Sequence, residues 1–433
     1  MTNGELVLLV WNDLVGLSRT RGVPLQQYER RRRHGLGWAL AGQSLTPFED
    51  IAPNPWGPMD EVRQVPDEAT RMRIVLKEDH PAFHVALCNS LHADGTPWEC
   101  CTRSFLASAL DDLKNQTGLE VAIAYENEFL LIDPALEWAA PFSVDSIRRA
   151  APFADLCTRA LIDAGVDLET FEPEYGVGQY EVSCGPATGL AGADRVVITR
   201  ETVREAARQC SITASFSPKP APDAVGNGCH LHVSLWDGAG NPATADPAGP
   251  AGLSAVAGRF VAGVHRHLRA LVAITAPSPV SYMRLGPHHW SCGFDAVGVQ
   301  NREAAIRICP APDGDPAAFN IEIRSTDATA SPYLAIGAII RAGLEGIRAD
   351  LAPPAMVNLD PASLSDAERR DQGIRTLPGS LDEALDAFLA DDSVCQWFDP
   401  VMIEAYGALK HLEAANAAAM SDAELCQRYR GAY

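Results

Sequence analysis

The residues in this chain best placed to do chemistry are carboxylates. Residues 123–132 read Ile-Ala-Tyr-Glu-Asn-Glu-Phe-Leu-Leu-Ile, an apolar, strand-like run with Glu126 and Glu128 inside it. Side chains alternate along a strand, so both carboxylates face one side. Buried without partners, each would cost roughly several kcal/mol. That face therefore calls for arginines or a divalent cation. Three more clusters follow: Glu174 and Glu181 around a Gly-Val-Gly-Gln turn, His230 and His232 in Gly-Cys-His-Leu-His, and Glu322-Ile-Arg324. His230 and His232 share a face if that segment is a strand. His265 and His267 lie in a helical pattern, where i and i+2 diverge, and that pair reads as surface.

Glu126, Glu128, Glu174, Glu181 and Glu322 with His230 would give three ligands to each of two divalent ions. A set rich in oxygen and free of sulfur suits Mg²⁺ or Mn²⁺ rather than Zn²⁺. Arg284, Arg302, Arg307 and Arg324 follow, the last three in or beside apolar strand runs, which favours a buried anionic partner. Two hard cations beside arginines are the equipment of phosphoryl transfer, where the protein positions groups and neutralises charge.

The elements that must position these residues read as α+β. Strands are expected at 5–11, 71–77, 82–88, 123–132, 179–183, 226–236, 302–308 and 319–324. Helices are expected at 104–117, 144–165, 193–209, 253–274 and 333–351, and from Ser380 onward. Arg30–Arg33 reads as a solvated helix end. The first ~105 residues form a small, mostly β unit. No G-x-G-x-x-G or Walker pattern is present.

Composition sets the outer bounds. The 433 residues suffice for two domains, and 47% hydrophobic with 21% charged residues is an ordinary globular balance. A net charge of −21 argues against a nucleic-acid partner. The 11 cysteines are scattered without metal-type spacing, as expected of reduced thiols in the cytoplasm. No run reaches the ~20 apolar residues of a membrane span, and no signal peptide is expected.

At its clusters the chain resembles the glutamine synthetase family. The matches fall in family order: Glu126-Asn-Glu128-Phe129, Glu174 with Gly178-Gln179-Tyr-Glu181, Ser215-Phe-Ser-Pro-Lys-Pro220, Gly228-Cys-His230-Leu-His232-Val-Ser234-Leu235, Ser281-Tyr-Met-Arg284, Asn301-Arg302 through Arg307, and Glu322-Ile-Arg324. The resemblance implies a β-grasp N-terminal domain at 1–105. It implies a larger catalytic domain at 106–433, with a curved antiparallel sheet and flanking helices. It also implies homo-oligomeric rings, a dodecamer of two hexamers, with each active site between neighbours. Carried over, Glu128, Glu174 and Glu181 hold one metal, and Glu126, His230 and Glu322 the other. His232 and Ser234 fall on the nucleotide side. Arg302 and Arg307 face the transferring phosphoryl group, and Arg284, Arg324 and Gly226 hold glutamate.

The departures from the family bear on the substrate. Ammonia-using members carry a glutamate six residues after the arginine matching Arg284; here that position is Trp290. An indole removes the charge that favours ammonium and adds an apolar wall. This is similar to the γ-glutamylpolyamine and γ-glutamylmonoamine synthetase branches. The basic residues that precede the family's counterpart of Glu322 read Ala317 and Asn320, and residues 357–361 lack the tyrosine that some members adenylylate. The expected activity is ATP-dependent ligation of glutamate to an amine larger than ammonia, with Trp290 lining the amine pocket. Glutamine synthesis from ammonia and a non-catalytic ring-forming homologue are the alternatives.

Overall fold

The computed structural model describes residues 4–288 and 291–433. The chain opens with a hairpin of β1 (Leu6–Asn12) and β2 (Ser18–Pro24), paired from Leu6↔Pro24 to Asn12↔Ser18. The Asp13 carboxylate closes its turn by accepting from the amides of Val15 and Leu17. Helix α1 (Leu25–His34) follows, with Arg31–His34 in its last turn, where basic side chains complement the helix dipole. The remaining strands here are β3 (Leu36–Ala39), β4 (Glu61–Pro66), β5 (Met72–Ile74) and β6 (Phe83–Leu91). The sheet order is β2-β1-β6-β4-β3, with β5 also on β6, and β1 runs parallel to β6. A hairpin, a helix and a central parallel pair make the expected β-grasp arrangement. Strand β4 was not foreseen, because prolines flank its short alternating run. The strand expected at 71–77 contracts to the three residues of β5.

The larger sheet is organised on one long strand. After α2 (Thr102–Thr117), β7 (Leu119–Ile132) runs for 14 residues. Helices α3 (Val144–Arg149) and α4 (Ala151–Asp163) replace the single helix expected at 144–165. They divide at Ala150 because Pro152 lacks the N–H needed to continue the ladder. Next come β8 (Leu168–Pro173), β9 (Gln179–Cys184), β10 (Ala187–Thr188), α5 (Leu190–Gln209), β11 (Thr213–Ser215) and β12 (Leu231–Asp237). Then follow α6 (Ala255–Thr275), β13 (Val297–Val299), β14 (Ile306–Cys309) and β15 (Asn320–Ile323). The order is β13-β14-β15-β12-β7-β9-β8, with β10 and β11 also on β7. The sheet is antiparallel except that β13 and β14 are parallel, a correction to the all-antiparallel expectation.

Two strand starts also differ from expectation. Residues 226–230 precede β12 proper, yet the Glu126 and Glu128 amides donate to the His230 and Gly228 carbonyls and hold the segment against β7. The strand expected at 302–308 begins at Ile306, and Arg302 sits in an exposed turn. Asn301 drives that turn: its side-chain oxygen accepts from the Glu303 amide, and its nitrogen donates to the carbonyls of Val357 and Leu359.

The C-terminal elements are α7 (Pro332–Arg348), α8 (Asp366–Asp371), α9 (Leu381–Leu389), α10 (Asp392–Cys395), α11 (Pro400–Ala418) and α12 (Asp422–Ala432). Helix α7 is apolar nearly all round, as a fully buried helix must be. It meets α6 backbone to backbone. A Cβ on Gly263 would strike the Ala342 carbonyl, and one on Gly346 would strike the Arg259 carbonyl. His267 of α6 is buried, contrary to the surface reading. Its Nδ1 lies 2.7 Å from Asp391 and its Nε2 3.1 Å from Glu345, so two carboxylates stabilise it inside. The two sheets are tied by buried Arg103 of α2, which donates to Asp194 at 2.9 and 2.8 Å and to Asp67 at 2.8 Å. Among the described residues no helix is long and apolar enough to cross a membrane.

The α6–α7 crossing gives a stability test. Gly346→Ala is expected to destabilise the chain by about 1–3 kcal/mol through overpacking. Gly407→Ala in α11, where a new Cβ meets nothing within 4 Å, is expected to stabilise by about 0.5–1 kcal/mol. Denaturant midpoints of the two variants should move in opposite directions.

Candidate active site

Strand β7 alternates between a fully buried face, with Tyr125, Asn127, Phe129 and Leu131, and a half-open one with Glu126 and Glu128. The buried face is anchored by Phe129, whose ring lies against Phe153, Phe171, Tyr180 and Phe216. That packing fixes which way the two carboxylates point. A slip of one residue would bury both and expose the aromatic row.

Cross-strand register then assembles two rows. In the first, Glu128 stands opposite Glu181, and Glu181 opposite Glu172 on the next strand. Like charges directly opposite one another are destabilising. Ser183 donates to Glu181 at 2.7 Å, and Gln179 Nε2 lies 3.1 Å from Glu128. Glu174 flanks the row from the β8–β9 turn, accepting from the Tyr175 amide at 3.3 Å. Burial, then the Glu128 charge, pushes Glu174 up to about 7. Burial, then Glu126 and Glu128, raises Glu181 strongly.

The second row has mixed charge. Arg307 stands opposite Glu322, and Glu322 opposite His232. Glu322 is 0% exposed, and its carboxylate pairs with Arg307 Nη1 at 2.8 Å and with Arg324 Nη1. Burial works against the charge of Glu322, but Arg324, His230 and His232 together outweigh it, so the group titrates below the usual carboxylate range. Glu126 reaches over from β7. His230 Nδ1 lies 3.0 Å from Glu126 and 3.6 Å from Glu322, and His232 Nε2 lies 3.1 Å from Glu126. Burial opposes the Glu126 charge too, but the two imidazoles hold it well below its usual value. His232 is disfavoured as a cation by burial, yet the Glu126 carboxylate brings it to about 9. Among the described residues, Glu126, His232 and Glu322 bring ligand atoms within 4.8 Å of one another.

Gly228 joins the rows. A Cβ there would sit 2.8 Å from Glu128 Oε1 and 2.9 Å from His230 Nε2, so only glycine lets that carboxylate and imidazole converge. His230 Nε2 is buried without a hydrogen-bond partner. The two nitrogens of His230 thus look in different directions, one to Glu126 and Glu322, the other toward Glu128.

The remaining sequence-derived candidates are placed as follows. Gly226 packs on buried Arg284, where a Cβ would lie 2.7 Å from Cδ, and Gln179 Nε2 binds the Gly226 carbonyl at 2.9 Å. Arg284 donates to the Thr326 carbonyl at 2.7 Å, and Arg324 Nε to the Arg302 carbonyl at 2.9 Å. Arg302 contributes that carbonyl, but its side chain is exposed, so the buried anionic partner inferred from a strand setting does not apply to it. Ser234 is buried, accepting from Trp236 Nε1 at 2.9 Å. Trp290 lies outside the described residues. The sequence reading passed over Glu172, Gln179, Asn320 and Cys309 as site residues. Asn320 sits two residues from Glu322 on one face of β15, and Glu172 sits two residues before Glu174, which lies just past the end of β8; that spacing was the available signal. Cys309 Sγ, 3.8 Å from Glu322, had none.

A family model for the glutamine synthetase catalytic domain matches residues 99–429, and one for the glutamine synthetase N-terminal domain matches 1–98. The chain is 33% identical to the gamma-glutamylpolyamine synthetase GlnA3 of Streptomyces coelicolor, over 99% of this chain and 93% of that protein. It is 30% identical to the glutamine synthetase of Methanocaldococcus jannaschii, over 95% and 92%. A crystal structure described as a novel glutamine synthase homolog superposes with a TM-score of 0.92 and 40% identity, covering 100% of this chain and 99% of that one. An ADP complex of GmaS superposes with a TM-score of 0.82 and 26% identity, over 97% and 95%. The acidic row, the mixed-charge row beside it and these matches over nearly the whole length agree: the chain belongs to the glutamine synthetase family, whose members are ligases using ATP and divalent Mg²⁺ or Mn²⁺.

Proposed function

We propose that this chain joins the γ-carboxylate of glutamate to an amine larger than ammonia, through γ-glutamyl phosphate formed at the expense of ATP. The observation that carries the ligase half is the opposed Glu128–Glu181–Glu172 row beside the Glu126, His232 and Glu322 group. The unpartnered Nε2 of His230 and the like-charged row both fit resident divalent cations. Glu128, Glu174 and Glu181 would hold one, and Glu126, His230 and Glu322 the other. When bound, such ions neutralise the phosphate charge of the nucleotide.

The chain's own residues do the rest. Arg307, and Arg302 from its exposed turn, lend positive charge to the phosphoryl group in transfer. Arg284, Arg324 and Gly226 orient glutamate. His232 and Ser234 line the nucleotide side, and Trp290 walls the amine side. The preference for an organic amine rests on Trp290 in place of a glutamate, with support from the 33% identity to a gamma-glutamylpolyamine synthetase. The same reading has residues 1–105 and 106–433 as two domains. It has twelve copies in two rings, and residence in the cytoplasm, which suits 11 cysteines that are all free.

Three outcomes test this reading. With glutamate and ATP, a panel of polyamines, alkylamines and arylamines should release phosphate faster than ammonium does. Robust turnover of ammonium at low millimolar levels would restore glutamine synthetase proper. Glu128→Ala should abolish phosphate release with every amine, and activity surviving at the same magnesium concentration would refute the metal assignment. Finally, metal binding should release protons, because Glu174 and Glu181 are raised and hold protons before an ion arrives. Calorimetry in buffers of different ionisation heat should show this release growing from pH 8 to pH 6, as Glu174 becomes protonated. Affinity for Mn²⁺ should weaken over the same interval, and Glu174→Gln should flatten both trends.

A further inference from the structure

Gln179 has more acceptors around it than hydrogens to give. It is 3% exposed at the start of β9, two residues before Glu181 on the same strand face. Because Glu181 stands opposite Glu128, Gln179 is the diagonal neighbour of Glu128 across β7 and β9. Its Oε1 accepts from the Gly176 amide at 2.9 Å, so its amide nitrogen is the end turned to the site. That nitrogen lies 2.9 Å from the Gly226 carbonyl, 3.0 Å from Asn227 Oδ1 and 3.1 Å from Glu128 Oε2. The Asn227 amide nitrogen donates to the Ser217 carbonyl at 2.8 Å, which fixes its oxygen toward Gln179. Two hydrogens therefore serve three acceptors. One acceptor belongs to the acidic row, and two belong to the loop that packs on Arg284.

We propose that Gln179 is a positioning residue that couples the cation held on Glu128 to the glutamate held beside the 221–227 loop, so that each strengthens binding of the other. A charged acceptor takes a hydrogen bond more strongly than a neutral one, so the Glu128 carboxylate competes with the loop for the Gln179 hydrogens. With Glu128 neutralised by an ion, both hydrogens go to Gly226 and Asn227. The loop has no regular secondary structure, and its residues 222, 223 and 225 are exposed. Lys219 Nζ on the Ala224 carbonyl at 2.8 Å, and the Asn227 amide on the Pro218 carbonyl at 3.0 Å, fold it back on residues 218 and 219. Gly226 packs on Arg284, where a Cβ would lie 2.7 Å from Cδ, so a shift of the loop reaches the arginine assigned to glutamate. The turn that carries Glu174 hangs on the same residue, because the Gln179 carbonyl accepts from the Glu174 amide at 2.9 Å. This inference rests on the metal and glutamate readings given above, leaves both sets of residues as they stand, and does not depend on which amine is used.

The test measures coupling rather than turnover. Mn²⁺ binding to the full chain is followed by electron paramagnetic resonance of the free ion, without glutamate and with glutamate at saturation. Glutamate should tighten Mn²⁺ binding to the wild type by about 5-fold or more, and Mn²⁺ should tighten glutamate binding, read by calorimetry, by the same factor. Gln179→Met keeps the length of the side chain and removes its polar atoms, and the factor should fall below about 2-fold. Asn227→Ala removes one loop acceptor and leaves the acidic row untouched. It should bind Mn²⁺ alone as the wild type does, yet lose about half of the factor or more. A change that merely loosened the fold would weaken Mn²⁺ binding with and without glutamate alike and leave the factor in place. Thermal unfolding checks that both variants keep the fold, and Asn227→Ala carries the test should Gln179→Met be unstable. A wild type that binds Mn²⁺ with no response to glutamate would overturn the proposal. So would an undiminished factor in either variant, the result expected if the ion met glutamate directly and Gln179 played no part. Failure of the wild type to bind Mn²⁺ at all would overturn the metal reading and this inference with it. Amine turnover is measured separately, so a failed amine preference with intact coupling is told apart from failure here.

Discussion

Three glutamates stand in line across β7, β9 and β8, with no arginine between them. Glu128, Glu181 and Glu172 are brought there by register alone, and each hydrogen bond to the row comes from a neutral group, Ser183 or Gln179. Such an arrangement is unfavourable in an empty protein, where burial and the neighbouring carboxylates push Glu181 and Glu174 toward their protonated forms. It becomes favourable when a divalent cation sits over it. The fold holds the row in place by other means, above all the aromatic packing under β7, so the site is organised before any ion binds.

The other end of the sheet is neutralised by the chain itself. Glu322 has two guanidiniums on its carboxylate, and Glu126 has two imidazoles. The contrast between the rows gives the site a direction. One side carries unbalanced negative charge, while on the other the carboxylates are paired with guanidiniums and imidazoles. Breaking a buried pair such as Arg307–Glu322 would leave a charge stranded, which is more costly than never having had the pair.

Rigidity comes from the elements behind the sheet. Helix α7 is buried almost all round, and its glycines let α6 approach to backbone contact. Buried His267 ties α6 to Glu345 of α7 and to Asp391 at the start of α10, and buried Arg103 ties α2 to Asp194 of α5. The catalytic face can thus carry strong electrostatic conflict without the surrounding structure yielding.

Much of the carboxylate and imidazole cluster was legible from residue types and spacing. Glu126 and Glu128 on one strand face, the His-Leu-His pair and the Glu-Ile-Arg triplet follow from period-two alternation, which is local and therefore readable. Family order supplied what locality could not, namely that these strands meet. The tertiary structure alone decided which carboxylates face one another, because register is a property of pairs of strands. It alone placed Glu172 in the acidic row and Asn320 on His232. It also moved Arg302 out to an exposed turn, through hydrogen bonds from Asn301 to carbonyls some 56 to 58 residues away, and it took His267 inside, where two carboxylates from distant helices stabilise it. The sequence by itself determined the chemistry these side chains offer; long-range pairing decided which of them share it.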